Sequence, residues 1–429
     1  MQVPPARWRH RYQGGAVNAL MRDFNAICDF GGRFAGSDSE AAACAWLEER
    51  LERISGAAPL RSPVDFAGWS RRESVLERLD GPGGVHECIS LVQSPPTPAE
   101  GLEADLVDVG RGTEADFDAA GTAVDGNIVL VRHEYMFAAD TVHRRRKYGW
   151  AVDRGAAGFL IASHLPGPGH LVTGSSGATP EHGIPAAGIS AATAAALTGN
   201  GPPRVRLRIA VDRALGRADN LILDLPGKGR ERVVLSAHID GHHLAESAMD
   251  NATGLAVVLA VLAELAPRIA NFECGLRVGL FNVEEWALTG SADYVDALAG
   301  EEHEAIRLNL NLDSVGGSPN LTALTSGFPV LEAWLLERAA AHGAALGVHR
   351  PLMANSDHYN FARAGVPAAR LVAGFDEPDS NLRYVLTPAD TRDKVRAEDL
   401  AAAARLGARL VEDACRAPVL RLRQPPEVV

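Results

Sequence analysis

With 429 residues, of which 46% are hydrophobic and 6% aromatic, the chain is long enough for two globular domains. A formal net charge of -12 argues against nucleic acid or an anionic membrane as the main partner. The five cysteines, Cys28, Cys44, Cys88, Cys274 and Cys415, are odd in number, scattered and free of C-x-x-C spacing, which argues against a disulfide framework and a thiolate zinc site.

Met1 to Gly15 is polar and lacks the apolar stretch of a secretory leader. The longest apolar run, Leu255 to Leu265, is interrupted by Glu264 and followed by Pro267, so it falls short of a membrane span. A soluble, cytoplasmic protein is the expectation. Ser37-Asp38-Ser39-Glu40 is a capping box that should open a helix through Ile54, with Trp46, Leu47 and Leu51 on its apolar side. Ser94-Pro95-Pro96-Thr97-Pro98 is a stiff connector and a candidate boundary. Beyond it come short β-like runs at Asp105–Val109 and Gly126–Arg132, a basic helix near Val142–Tyr148, and strands ending at Ile161 and Ile189. Arg144-Arg145-Arg146-Lys147 reads as a solvated helix face; the alternative is a carboxylate clamp carried by a lid. Gly167-Pro168-Gly169 and Gly174-Ser175-Ser176-Gly177 lack the strand, Lys and helix of a phosphate loop and read as plain surface loops.

From Asn220 onward strands and helices alternate. Strands are expected at Asn220–Leu225, Arg232–Ala237, Leu276–Val283, Ile306–Leu312 and Ala368–Val372. Helices are expected at Asn251–Ala266, Leu288–Leu298, Pro329–Leu346 and Glu398–Glu412. Such alternation predicts an α/β fold with a mainly parallel sheet flanked by helices.

The ionisable residues fall at one end of these strands. His238 and Asp240 follow one, Asp250 opens the next helix, Glu284 and Glu285 close another, and Asp313 closes a third. The carboxyl rim of an open α/β sheet is where ligands bind. Each signal alone is weak, since an Asp at a helix start is usually a cap. Together they would repel one another unless a cation were present, which a divalent metal supplies.

Ala237-His238-Ile239-Asp240, Met249-Asp250-Asn251-Ala252-Thr253-Gly254, Asn282-Val283-Glu284-Glu285 and Leu312-Asp313-Ser314-Val315-Gly316 resemble the ordered motifs of metallopeptidase family twenty-eight, which contains the bacterial leucyl aminopeptidases. Ser356-Asp357-His358 followed by Phe361, Gly365, Val366 and Pro367 is similar to its later signature. The resemblance covers about Asn220 to Leu400, with Arg33-Phe34-Ala35-Gly36 in addition. Asp105–Gly110, Gly126–Val131 and Gly155–Gly158 resemble a protease-associated domain, which shapes a site without carrying chemistry. The resemblance implies a zinc-exopeptidase-like three-layer sandwich with an inserted mostly-β domain, divided as 1–103, 104–213 and 214–429. It also implies roles. His238, Asp250 and Asp313 would hold a first metal, with Asp250 bridging toward a second bound by Glu285. Glu284 would be the general base and Asp240 would orient His238.

The family's last ligand is a histidine, and Leu386 stands in its place, within Val385-Leu386-Thr387-Pro388-Ala389-Asp390-Thr391. Leucine has no lone pair, and Asp250 with Glu285 alone makes a poor zinc site. The expectation is therefore one divalent metal per chain, manganese or zinc, and a hydrolase cleaving a C–N bond through hydroxide made on that metal. A mononuclear relative by resemblance, nitroanthranilate aminohydrolase, offers one candidate substrate type. The alternatives are a dinuclear zinc aminopeptidase, with His243 swinging in as the missing ligand, and a non-catalytic binding protein on a peptidase scaffold. Arg370 and His358 are the candidate substrate contacts, and Arg383 raises the same question as Arg370. The expected partner is a small molecule or short peptide, with self-association left open.

Overall fold

A computed structural model describes residues 15–417, apart from positions 82, 180, 181 and 200. All but the last residue of the polar stretch Met1 to Gly15 lies outside the described residues, as do the extreme ends of the two outer segments. Helices α1 (Gly15–Cys28) and α2 (Asp38–Ser55) lead into a long strand β1 (Leu60–Arg78), followed by short β2 (Gly84–His86) and β3 (Cys88–Ser90). The inserted block then runs β4 (Leu102–Asp108), α3 (Glu114–Ala120), β5 (Ile128–Arg132), α4 (Arg144–Asp153), β6 (Gly158–Ala162), β7 (Ala186–Ile189) and α5 (Ala191–Thr198). The chain returns through β8 (Arg204–Leu225) to β9 (Arg232–His238), α6 (Thr253–Leu265), β10 (Gly275–Phe281), α7 (Thr289–Ala297), α8 (Gly300–Ala305) and β11 (Ile306–Leu312). It ends with β12 (Leu321–Leu324), α9 (Pro329–Ala341), β13 (Gly347–His349), α10 (His358–Arg363), β14 (Ala368–Ala373) and α11 (Ala397–Arg416).

The principal sheet has the order β13-β12-β14-β11-β9-β10-β8. Its centre, β14-β11-β9-β10, is parallel; β12 and β8 join it antiparallel. The central strands are buried on both faces, which is why they read as near-continuous apolar runs. Helix α6 packs against α1, α2 and α11 and is buried almost all round. On composition alone the helical run Ala248–Asn271 is long enough to cross a membrane, yet most of it lies inside the fold as the core helix.

The cap of α2 takes a different form from the expected box. Ser37 Oγ accepts from Glu40 N at 3.2 Å, but the Glu40 carboxylate turns inward and accepts from Asn282 Nδ2 at 2.6 Å and Gly36 N at 3.3 Å. That ties the helix to the end of β10, next to the site.

Strands β1 and β8 form an antiparallel ribbon from Leu60↔Ile222 to Arg78↔Val205. One end of β8 pairs with β10 and the other with β4, so the same strand serves both sheets. Position 213/214 therefore lies inside β8, and 103/104 inside β4. The inserted block is built on the parallel strands β4-β5-β6-β7, with β3 antiparallel at the edge and helices α3, α4 and α5 beside them. Leu106, Ile128, Leu130, Leu160 and Ile189 form its own core, while Val129, Val131, Phe159 and Ile161 on the alternate face join the main one.

Candidate metal centre

Three neighbouring parallel strands deliver the site at their carboxyl ends. His238 is the last residue of β9, Asp313 directly follows β11, and Glu284 and Glu285 lie three and four residues past β10. Asp250 sits in an irregular turn, Ala248–Ala252, that leads into α6. Asp390 fixes that turn, accepting from Met249 N at 2.7 Å and Asp250 N at 3.4 Å.

Two groups of ligating side chains result. His238, Glu284 and Asp313 make one; His242, Asp250 and Glu285 make the other, and within each the donor atoms lie within 4.8 Å of one another. Asp250 connects them, with Oδ1 3.0 Å from His238 Nε2. It thus stands between the two groups. His238 Nδ1 lies 3.0 Å from the Asp240 carbonyl oxygen, which can only accept. Nδ1 therefore carries the proton, and in the neutral ring Nε2 presents a lone pair to Asp250 and, at 3.6 Å, to Asp313 Oδ1. A lone pair facing two carboxylates is repulsive unless a proton or a cation stands between them, so these donors fit a divalent metal.

The electrostatics agree. Burial, and then the charges of Glu285 and Asp313, push the Glu284 carboxyl well above the usual range, although His238 opposes them. Glu285 is raised well above it too, by burial and then by Asp250, against His238 and Arg144. Burial works against a charged His238, but Glu284, Asp250 and Asp313 outweigh it and raise the imidazole well above its ordinary value. Carboxyls that resist ionisation beside an imidazole that resists neutrality are what a cation pocket looks like to a proton.

Asp240 does not orient His238 through its carboxylate, which stays 3.8 Å from Nδ1. Its backbone carbonyl does that, and its carboxylate accepts from Glu284 N at 2.9 Å and Glu285 N at 3.1 Å. Asp240 thus positions the two glutamates and touches no reacting atom. Arg370 is engaged with the ligand Asp313, at 3.1 Å from Oδ2, and donates to the Asn355 carbonyl at 2.7 Å. It is buried, with its guanidinium over the Phe137 ring, and braces the centre; it has no free fork for a substrate. Burial would raise Asp313, but Arg370 and then His238 overcome it and hold that carboxyl well below the usual range. His358 is wholly buried and pushed down to about 3 by burial and then by Arg370, so it presents no exposed face to a substrate. Arg383 lies apart, over Tyr384 and donating to the Asp379 carbonyl.

The histidine that joins the second group is His242; His243, the sequence-based candidate, does not. His243 hydrogen-bonds Arg71 and stands edge-on to Phe34, with ring centroids 5.0 Å apart. The basic run also departs from a solvated face. Lys147 is buried and donates to the carbonyls of Arg111 and Arg132 and to Glu134. Arg144 is 6% exposed; its Nε donates to Ser175 O at 2.8 Å, while Nη1 has no hydrogen-bond partner among the described residues. Its charge reaches Glu285, and Gly174 leaves the space it fills: a Cβ there would lie 2.3 Å from Nη2. Arg146 alone of the four keeps to the exposed surface. Gly174-Ser175-Ser176-Gly177 is accordingly no plain loop, since it cradles Arg144 and Arg145.

Residues 220–411 match the model of Peptidase family M28, and residues 91–197 match that of the PA domain. Together the two matches span most of the chain and make it similar to an M28 peptidase with an inserted PA domain. It is 27% identical to aminopeptidase YwaD of Bacillus subtilis (strain 168), over 82% of this chain and 73% of that protein. It is also 27% identical to a probable lipoprotein aminopeptidase, LpqL, of Mycobacterium tuberculosis (strain ATCC 25618 / H37Rv), where the match spans 68% of this chain and 60% of that one. Among solved structures, BSAP, a zinc aminopeptidase from Bacillus subtilis, superposes with a TM-score of 0.73 at 23% identity, covering 96% of this chain and 97% of that one. A peptidase M28 precursor from Shewanella amazonensis SB2B does so with 0.77 at 23% identity, covering 96% and 98%. These similarities establish the zinc-exopeptidase-like sandwich with its inserted domain. The chain is a metal-dependent hydrolase of the aminopeptidase type.

Proposed function

We propose that the chain releases amino-terminal residues from short peptides by hydrolysing the first amide bond. The observation that carries this reading is the presence of two ligand groups joined by Asp250, with Glu284 in one and Glu285 in the other. A divalent metal held by His238, Asp250 and Asp313 would polarise the scissile carbonyl and lower the pKa of a water to about 7. A nitrogen beside carboxylates suits zinc, the metal named for BSAP, and manganese as well. Glu284, fixed through its backbone by Asp240, takes the proton of the attacking water and returns it to the leaving nitrogen as the C–N bond breaks. Arg144, with an unpartnered guanidinium nitrogen near Glu285, receives the carboxylate of a short substrate.

A second reading, a single metal and removal of an amine from an aromatic ring of the nitroanthranilate type, is favoured by Leu386 alone. A substrate panel separates the two. Dipeptides and aminoacyl anilides should be turned over, and a chelator should stop it. Ammonia released from a nitroanthranilate, with no peptide cleaved, would replace the first reading by the second.

A further inference from the structure

The last ligand of the family's second metal position is absent from its own segment. Leu386 is buried, and its carbonyl accepts from Thr173 N of the inserted block at 2.9 Å. Its backbone stands at φ 64°, a left-handed conformation uncommon for a leucine and better tolerated by histidine. The segment keeps the conformation of a special position while its side chain can donate nothing to a metal.

An imidazole reaches the same carboxylates from elsewhere. His242 lies in the loop after β9 and is 1% exposed. Its Nε2 is 3.7 Å from Glu285 Oε1, and it shares the second ligand group with Asp250 and Glu285. Neither ring nitrogen of His242 has a hydrogen-bond partner among the described residues, and neither does Glu285 Oε1. The bland alternative is a core histidine satisfied by its surroundings. Against it, a neutral imidazole carries one donor and one acceptor, and buried polar atoms are normally paired; His358 is unpaired too, but of the two only His242 faces an equally unpaired carboxylate oxygen among the described residues. A cation between His242 Nε2 and Glu285 Oε1 would satisfy two of these three orphaned atoms at once.

The loop is built to keep that ring inward. His242 N donates to Ser247 Oγ at 3.0 Å, and the same hydroxyl donates to the His242 carbonyl at 3.1 Å. Buried Arg33 donates to the carbonyls of Ile239, Glu246 and Ser247, spanning the loop from beneath. Gly32 lies so close that a Cβ would come within 2.4 Å of the His242 carbonyl oxygen. A backbone fixed this firmly, with the side chain 1% exposed, leaves little for the loop to reorganise on binding.

We propose that His242 supplies the nitrogen ligand of the second metal position, so that the chain keeps a two-metal centre by moving its histidine from position 386 to position 242. The proposal rests on the metal-dependent reading above and deepens it.

The test counts metal. The intact chain, equilibrated with zinc and freed of excess by gel filtration, should carry two equivalents by elemental mass spectrometry. His242→Ala should carry one, and His243→Ala should still carry two. The double variant H242A/L386H should regain the second equivalent, since position 386 offers the original route to the same carboxylates. Cobalt in place of zinc should show the matching loss and return of visible absorption, a readout independent of turnover. One equivalent in the unaltered chain, or two in a folded His242→Ala chain, overturns the proposal. Should His242→Ala not fold, His242→Gln serves instead and is judged by the same count. Two metals without peptide cleavage would leave His242 assigned and remove the aminopeptidase reading; peptide cleavage with one metal would do the reverse.

Discussion

The two halves of the metal centre are built differently. In the first, the supports are already in place: the Asp240 carbonyl fixes the His238 tautomer, and Arg370 and Ser314 hold Asp313. In the second, His242 and Glu285 Oε1 face each other without hydrogen bonds, although the loop behind His242 is clamped. The first half still needs a cation between His238 and its carboxylates, but its ligands are braced by the protein's own hydrogen bonds. The second is satisfied only by something the chain does not itself provide. A site can therefore lose a ligand from one segment and recover it from another where the recovered half was never tied into the protein's own hydrogen bonds.

The largest effect should come from the proton carrier that belongs to the first half. Glu284→Gln keeps size and shape but cannot take a proton, so turnover should fall by about 10²–10⁴-fold while the metal count stays unchanged. Retained turnover would mean that another group is the base.

Removing a support should sharpen the contrast. Arg370→Met leaves Asp313 without its guanidinium, and the loss of such outer contacts typically costs about 10–100-fold in metal affinity. The expectation is that one of the two equivalents weakens in a chelator competition and the other does not. Equal weakening of both would show that the halves are not separable.

Removing the metal should uncover a pH dependence. Without metal, Glu284 and Glu285 titrate well above the ordinary carboxyl value in the folded chain. The unfolded chain holds them near about 4.3. Their contribution to stability is thus fully present below that value and is lost as pH rises through the folded pKa. His238, also raised, acts in the same direction, while Asp313, held low, acts in the opposite one. Metal that binds only the folded chain removes the net penalty and adds about 2.7 kcal/mol at a hundredfold excess over Kd. The gap in Tm between loaded and chelated protein should therefore widen from pH 5 to pH 8. A gap that narrows would contradict the assigned directions.

The same contrast explains what the sequence did and did not disclose. Strands β9, β10 and β11 and helix α6 follow directly from their apolar runs, because both faces of the sheet are buried. With those strands placed, His238, Asp250, Glu284, Glu285 and Asp313 fall on one rim without further information. The ribbon of β1 and β8 is hidden, since a two-stranded ribbon exposes much of its surface and carries charged residues such as Arg71, Arg72, Glu73 and Arg208 where a core strand would be apolar. His242 and His243 are adjacent in a loop with no periodicity to say which points inward. Gly32, Arg33 and Ser247 decide that, two of them from more than two hundred residues away. Arg144 was hidden for a related reason. A run of four basic residues looks solvated until Gly174 opens a space for one of them.

That arginine provides the smallest of the expected effects and a probe of the substrate from outside the metal centre. Arg144→Gln removes a charge from a buried place near Glu285 without emptying it. A hydrogen bond to a charged group contributes about 1.5–3 kcal/mol, and the lower end of that range, with Gln still able to donate one neutral hydrogen bond, corresponds to a rise in KM for dipeptides of roughly tenfold. Aminoacyl amides, which lack the carboxylate, should show little change. Gly174→Ala should give a weaker version of the same split, because its φ of 109° and the close guanidinium both oppose a Cβ and would displace Arg144 without removing it. If dipeptides and amides suffer alike, Arg144 tunes Glu285 and does not meet the substrate, and the inserted block acts on the second half of the centre through its charge.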